Sequence, residues 1–335
     1  MTDPSANTPS APLHLLGRFG ELYTGAEREL LDLGRLLAGR RAVKLWSDVP
    51  VHLAYASEGI TAIQPFAHQF PKDGTLLIGG VHLQPGIWLK YTRFKRIILF
   101  HNLSNQGQLF AIVESVREST GLDPEIVFVS DFVRRSAALP GPVIPSMLDL
   151  EPFLRVAEKR FEATQKSRPF TVGRASRDVL EKHSPDDLSL YRMLASKGIR
   201  VRIMGGTCLA PGLGGVEGIE LLAAGTQSMP EFYSSLDAVF YRTGALFIEA
   251  YGRVVLEAMG AGLPVVAHET GGYAEMMAHG VSGFLVKSQE QAYDSLIALS
   301  DSPELCRRVG EAAMQQAIDT HGPKAIERDL AFYLR

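Results

Sequence analysis

Short apolar runs alternate with amphipathic stretches along nearly the whole chain, and this rhythm restricts the fold more than any other feature. In the first half the runs fall at residues 13–16, 43–46, 75–78, 96–100 and 126–129, each bounded by turn-forming residues. Runs this short, separated by helix-length segments, read as parallel strands joined by crossovers. Residues 25–39 fit the first crossover helix. Leu30, Leu31, Leu33, Leu36 and Leu37 make one side of it, with Arg28, Glu29, Asp32 and Arg35 between them, so one face packs on the sheet.

A second series follows, with PFTVG, IRVRIMGG, DAVFY and PVVAHE as strands and helices expected at 185–197, 230–236 and 254–261. PSMLDLEPF and the charged run RVAEKRFEATQKSR mark the boundary between the two series. A length of 335 residues suits two domains of roughly 150 residues each. The expectation is an α/β chain of two doubly wound domains facing across a cleft, spanning 1–147 and 148–320, with 1–12 a loose polar tail and 321–335 a closing helix. Ligands of open α/β sheets bind beyond the carboxyl ends of the strands, so function is sought there.

Composition removes several alternatives. A formal charge of -3 lacks the basic excess of a nucleic-acid binder. Cys208 and Cys306 have no metal-ligand spacing and make no disulfide framework, which fits a reducing cytoplasm. The apolar stretch VVLEAMGAGLPVVA is interrupted by Glu257, and no run reaches the ~18 residues of a membrane span. In IWLKYTRFKR, Trp88, Tyr91 and Phe94 stand among Lys90, Arg93, Lys95 and Arg96. That stretch is either a solvated helix face or a peripheral contact with the inner face of a membrane and a lipid-linked acceptor.

The most specific segment is EAYGRVVLEAMGAGLPVVAHETGGYAE, with Glu249 and Glu257 eight positions apart, small residues before Pro264, and then Gly271, Gly272 and Glu275. It resembles the E-x7-E signature of the group 1 glycosyltransferases, glycosyltransferase family 4. The resemblance implies a GT-B fold of two Rossmann-like domains, a retaining sugar transfer from a nucleotide-diphosphate sugar (UDP-, GDP- or dTDP-linked), and a terminal helix that crosses back to the first domain. It covers residues 170–286 strongly and the first domain weakly, so it speaks for the donor more than for the acceptor.

The residue chemistry agrees with those roles. An ionised carboxylate only accepts hydrogen bonds, and the vicinal hydroxyls of a ribose are matching donors; the resemblance gives Glu257 that contact. It places Glu249 nearer the reacting sugar, where a carboxylate stabilises positive charge developing at the anomeric carbon. The amides of Ala250, Tyr251, Gly252 and Arg253, just before a helix, suit a diphosphate. The bland alternative is two glutamates favouring a helix N-terminus.

In GRASRDVLEKH, Gly173 and Arg174 end a strand and Lys182 follows eight positions after Arg174. They resemble the family's basic pair on the donor diphosphate, and fixed cations there stabilise the departing phosphate. The spacing is looser than the family's, and Arg177 is an alternative second cation. No Asp-x-Asp triplet occurs, so no metal ligand is assigned and no cofactor beyond the donor is expected.

Gly205 and Gly206 resemble the family's glycine turn near the base, or are an ordinary strand-ending turn. Gly17, in GRFGELYTG with Gly20 and Gly25, resembles a glycine-bearing loop near acceptor and donor phosphate, or is a plain strand-to-helix connection. His82 and His101 resemble two histidines at the edge of the acceptor domain. His101 is the one whose family position reaches the donor sugar, and each is otherwise a structural histidine.

The reading is a glycosyltransferase with a saccharide or lipid-linked saccharide acceptor, in bacterial polysaccharide or glycolipid assembly. Its rivals are a catalytically silent sugar-nucleotide-binding scaffold and a dinucleotide oxidoreductase. The second lacks G-x-G-x-x-G after a strand, since PGLGGVEG has Glu217 in place of the last glycine.

Overall fold

A computed structural model describes residues 11–22, 25–80, 86–103, 106–162, 168–245 and 247–335. The chain divides into two compact units, residues 1–148 with 327–335, and residues 149–326.

The first unit carries β1 (Leu13–Gly17), α1 (Gly25–Leu37), β2 (Val43–Ser47), β3 (Thr61–Ala62), β4 (Asp73–Gly79), β5 (Arg93–His101), α2 (Gln106–Thr120), β6 (Glu125–Phe128) and α3 (Asp131–Ala137). Its strands form one sheet in the order β3-β2-β1-β4-β5-β6, with every pairing parallel. The second unit carries α4 (Glu151–Glu162), β7 (Thr171–Ala175), α5 (Asp187–Ser196), β8 (Arg200–Met204), α6 (Ala210–Leu213), β9 (Ile219–Leu222), α7 (Met229–Ser234), β10 (Ala238–Tyr241), α8 (Arg253–Gly260), β11 (Val265–His268), β12 (Phe284–Val286), α9 (Gln289–Asp301) and α10 (Pro303–His321). Its sheet runs β12-β11-β10-β7-β8-β9, again all parallel. The last helix, α11 (Pro323–Leu334), begins in the second unit and counts with the first from Glu327 onward.

Each sheet starts in its centre, winds outward one way, returns to the centre and winds out the other way, which is the doubly wound pattern. The central strands β1, β7 and β10 are buried along their whole length. Parallel strands covered on both faces carry continuous apolar runs, and Val172, Ile203, Phe240 and Leu296 exemplify the resulting core of the second unit. The strands β3, β9 and β12 have no counterpart in the sequence reading. All three are sheet edges, two to four residues long and only half-buried for the most part, so no continuous apolar run announces them.

Within the first unit, α1 lies on the sheet through Leu30. A Cβ on Gly17 would stand 2.6 Å from Leu30 Cδ1, and one on Gly79 2.8 Å from the same atom, so both glycines admit the helix to the sheet. The end of α11 is held by Arg41, which donates to the Tyr333 carbonyl at 2.7 Å, and by Arg96, which donates to the Phe332 carbonyl at 2.9 Å. No described helix is long and apolar enough to cross a membrane.

Candidate functional site

The strand order of the second unit reverses between β7 and β10, and the loops that leave these two strands carry the chemistry. After β7 the chain makes a short 3-10 turn, Leu180–Lys182. After β10 it runs through Phe247 and Glu249 to α8. Gly252 caps α8 with φ +88°, and a Cβ there would meet the Tyr273 side chain at 2.9 Å. Gly271, with φ +132°, lies against the same ring. The Gly272 amide donates to the Glu249 carbonyl at 2.9 Å. The glycines of this segment therefore seat Tyr273 and fix the backbone of Glu249.

Lys182 and Glu249 meet there. Lys182 Nζ donates to Glu249 Oε2 at 2.8 Å, and the Tyr241 hydroxyl donates to the same oxygen at 2.7 Å. No described residue donates to Oε1, and the Glu249 side chain keeps 18% of its surface open. The Lys182 ammonium also sits over the Phe247 ring, 3.6 Å from its centre. Burial works to raise the Glu249 carboxyl, but the Lys182 charge and the two hydrogen bonds outweigh it and hold the carboxyl below its ordinary value. Lys182 moves down as well, because burial outweighs the help from Glu249.

Arg174 stands beneath this pair rather than at the surface. Only 1% exposed, it donates to the backbone carbonyls of Arg242 and Lys182 and faces the Tyr241 ring at 4.8 Å. Its guanidinium is held inside the domain, so its charge reaches the site from below. Alongside, Arg242 pairs with buried Asp187 at 2.5 Å. Arg174, Lys182 and Arg242 thus set three positive charges against the two carboxylates of Asp187 and Glu249. Asp186 lies 4.0 Å from Arg242 but is 74% exposed and screened by water. A surplus of positive charge in a poorly hydrated place favours an anionic ligand.

The remaining expected residues are spread more widely. Glu257, one turn into α8, is buried, and the Tyr233 hydroxyl reaches its carboxylate at 3.4 Å. Tyr251 is committed by its hydroxyl to His321 at the end of α10. Ala250 is buried, and Arg253 opens α8 half-buried. Arg177 pairs with Glu181 at 2.9 Å on the surface.

Residues 165–316 match the family described as glycosyl transferases group 1. The second unit is a group 1 glycosyl transferase domain. The chain is 34% identical over 132 residues to the D-inositol 3-phosphate glycosyltransferase of Streptomyces griseus, which is 36% of this chain and 28% of that protein. It is 41% identical over 83 residues to sucrose synthase of Solanum tuberosum, 24% of this chain and 10% of that one. The matched stretches are thus under a third of these curated relatives. Over the whole chain, the structure of Anabaena Alr3699/HepE in complex with UDP and glucose is similar, with TM-score 0.72, 16% identity, and 97% and 99% of the two chains covered. WaaG, a glycosyltransferase involved in lipopolysaccharide biosynthesis, follows with TM-score 0.65, 14% identity, and 96% and 99% coverage. At such identities the likeness establishes the fold, which is GT-B.

In this glycosyl transferase domain, packing already accounts for three of the singled-out glycines. A Cβ on Gly173 would stand 2.2 Å from Leu236, one on Gly206 2.5 Å from Ile203, and one on Gly205, which has φ +81°, 1.9 Å from the Ser176 carbonyl oxygen. His183 joins this turn to Lys182: its Nε2–H donates to the Gly205 carbonyl at 2.9 Å, and burial pushes the ring down to about 4, so it is neutral.

In the first unit, Gly17 closes β1 against Leu30. His101 is fully buried at the end of β5, edge-on to Phe128, and burial pushes it down to about 4. His82 lies outside the described residues. In the 87–96 stretch, Trp88 and Phe94 are buried while Ile87 and Tyr91 are exposed, so two of its three aromatic side chains belong to the core. Among the described residues, no group of three or more His, Cys, Asp or Glu is placed to hold a metal ion.

Tyr241, Arg242, Asp187, Phe247 and His183 went unassigned in the sequence. Tyr241 and Arg242 sit where a strand read as DAVFY ends. A polar group at the carboxyl end of a strand beside the reversal point was the available signal.

Proposed function

We propose that the chain is a retaining glycosyltransferase that moves a sugar from a nucleotide-diphosphate sugar to an acceptor hydroxyl, in bacterial polysaccharide or glycolipid assembly. The observation that carries this reading is the paired Lys182 and Glu249 at the reversal point, with one carboxylate oxygen left open and a net positive charge around it. A nucleoside diphosphate supplies the missing negative charge, and a sugar hydroxyl supplies the donor that Oε1 lacks.

In the reaction the bond from the anomeric carbon to the diphosphate oxygen breaks as the bond to the acceptor oxygen forms on the same face. The acceptor proton passes to the departing phosphate. Lys182, with Arg174 and Arg242 behind it, offsets the charge that builds on the leaving group, and this charge is greatest in the transition state. Glu249 Oε1 accepts from the donor sugar, and Glu257 accepts from the ribose hydroxyls. The reading takes the leaving-group charge onto side-chain cations and needs no metal ligand. The complexes of Anabaena Alr3699/HepE with UDP and glucose and with UDP-glucose make a UDP-sugar the first candidate.

The test is a panel of UDP-, GDP- and dTDP-sugars, scored by nucleotide diphosphate release and by thermal shift. Release from at least one donor, lost in Lys182→Ala, is expected; no response to any of them overturns the reading.

For the acceptor we propose contact with an anionic lipid surface through residues 87–95. Ile87 and Tyr91 are 66% and 72% exposed beside Lys90, Arg93 and Lys95, and among the described residues these three cations have no ion pair. Apolar side chains flanked by unpaired cations suit an anionic headgroup layer. Flotation with phosphatidylserine vesicles, lost in the Lys90→Glu, Arg93→Glu double variant, is the expected result. Equal recovery of both proteins sinks the idea.

A further inference from the structure

We propose that Tyr241 is the positioning residue of the Glu249 carboxylate: its hydroxyl holds Oε2 so that Oε1 faces the sugar. The inference rests on reading this place as the donor site and adds a residue to it.

Two contacts fix the Tyr241 ring. It ends β10 and is 2% exposed; one face takes the Arg174 guanidinium at 4.8 Å, and the Tyr273 ring meets it at 88° with centres 5.3 Å apart. A phenol held in this way has one direction for its O–H, and the acceptor it finds is Glu249 Oε2 at 2.7 Å.

The other donor to that oxygen, Lys182, is a flexible chain with a second task. Once Lys182 turns toward a leaving phosphate, Tyr241 is the described donor that remains on Oε2. A short hydrogen bond from a neutral donor to a buried carboxylate keeps the carboxylate ionised and oriented. The phenol itself stays protonated, since burial, then the nearby Glu249 charge, raise it well above its ordinary value.

A phenylalanine would fill the same volume and present the same face to Arg174, so the hydroxyl is the part that packing does not require. The groups around Glu249 are Lys182 from the turn after β7, with Arg177 acting on Lys182, Arg174 from β7, and Tyr273 from the 3-10 turn Gly272–Met276. Arg242 and Asp187 form a mutual pair further along. Among the described tyrosines, Tyr241 alone bonds the carboxylate; the Tyr273 hydroxyl is buried without a hydrogen-bond partner.

The experiment compares Tyr241→Phe with Tyr273→Phe by two readouts. The first needs no donor: the Glu249 carboxyl is titrated by 13C NMR in ligand-free protein, with Glu249→Gln for assignment. It is expected to titrate at higher pH in Tyr241→Phe and at the wild-type pH in Tyr273→Phe. The second is UDP release from UDP-glucose, where kcat falls about tenfold in Tyr241→Phe, the size of one hydrogen bond to a charge. KM is expected to stay within about twofold and the acid limb of the rate profile to move up.

If Tyr241→Phe does not fold, 3-fluorotyrosine at position 241 keeps the ring and strengthens the donor, and the carboxyl then titrates lower. An unmoved Glu249 titration in Tyr241→Phe or in the 3-fluorotyrosine protein overturns the proposal. So does an equal shift in Tyr273→Phe. Failure of the donor-site reading looks different: Lys182→Ala then releases UDP at the wild-type rate while the Tyr241 titration effect persists.

Discussion

Both units use the same strand order, yet they fill its reversal point in opposite ways. In the second, the loops after β7 and β10 bring Lys182, Glu249, Tyr241 and Arg174 together with a surplus of positive charge. In the first, the equivalent strands β1 and β4 end in Gly17 and Gly79, both closed on the Leu30 side chain. The fold sets where a ligand can lie, and the strand-end residues set which ligand that is. One unit is built around a charge that wants a counterion; the other is built around a close helix-to-sheet contact.

Removing the cation is the strongest way to test this contrast. Lys182→Ala leaves the Glu249 carboxylate part-buried without its ammonium and, on the proposed reading, takes away the charge that would meet the leaving group. Loss of one such group costs about 10²- to 10³-fold in rate, and nucleotide release measured as kcat/KM is expected to fall by that amount. Gly17→Ala, at the matching place in the first unit, is expected to leave the same quantity nearly unchanged per folded molecule. Comparable losses from both changes would remove the division of labour.

The units also differ in what acid does to them. His14 and His101 in the first unit and His183 in the second are each pushed by burial to about 4; His268 in the second is lowered less. A histidine whose native value lies below its unfolded 6.5 contributes its full stability above pH 6.5 and loses it as the pH falls toward 4, because the unfolded chain takes up the proton first. Each fully shifted histidine is worth on the order of 1 kcal/mol per pH unit in that window. Hydrogen exchange of core amides between pH 7 and pH 5, above most carboxylate titration, is expected to show the first unit weakening more. Equal weakening would mean that His14 or His101 finds a way to charge inside the fold.

How much of this was readable in the sequence follows from burial and from range. The central strands were legible because both faces are covered, which demands unbroken apolar runs such as LHLL and DAVFY. Three edge strands were not, since a half-buried strand of two to four residues imposes no such run. Glu249 and Glu257 could be singled out because they stand at a local spacing about one helix N-terminus. The partners of Glu249 were not: Lys182 lies 67 residues away and Asp187 lies 55 residues from Arg242, and only the β7–β10 pairing unites them. Arg174 is buried with its two terminal nitrogens on backbone carbonyls and its plane against the Tyr241 ring, a cage that no local pattern reveals.

The packing side of the contrast predicts a moderate effect. Gly17→Ala would push a methyl to 2.6 Å from Leu30 Cδ1, and Leu30 is 1% exposed, with little room to yield. Overpacking of this kind costs about 1–3 kcal/mol. A lower denaturation midpoint with an unchanged m-value is the expected outcome in urea. An unchanged midpoint would show that α1 slides on the sheet and that the glycine is kept for another reason.

The smallest effect separates two neighbouring cations within the second unit. Arg177 stands five residues before Lys182, carries the same charge and competes with it for the role of second cation by sequence alone. Their surroundings differ. Lys182 is buried and hydrogen-bonded to Glu249, whereas Arg177 is one-third exposed and paired with Glu181 on the same turn. Exposed ion pairs of this kind contribute about 0–1 kcal/mol, and water screens their charge from a ligand. Arg177→Ala is therefore expected to change kcat/KM for nucleotide release by less than about threefold, and the change should shrink as salt is raised. A loss approaching that of Lys182→Ala would transfer the diphosphate to Arg177 and leave Lys182 as the structural partner of Glu249.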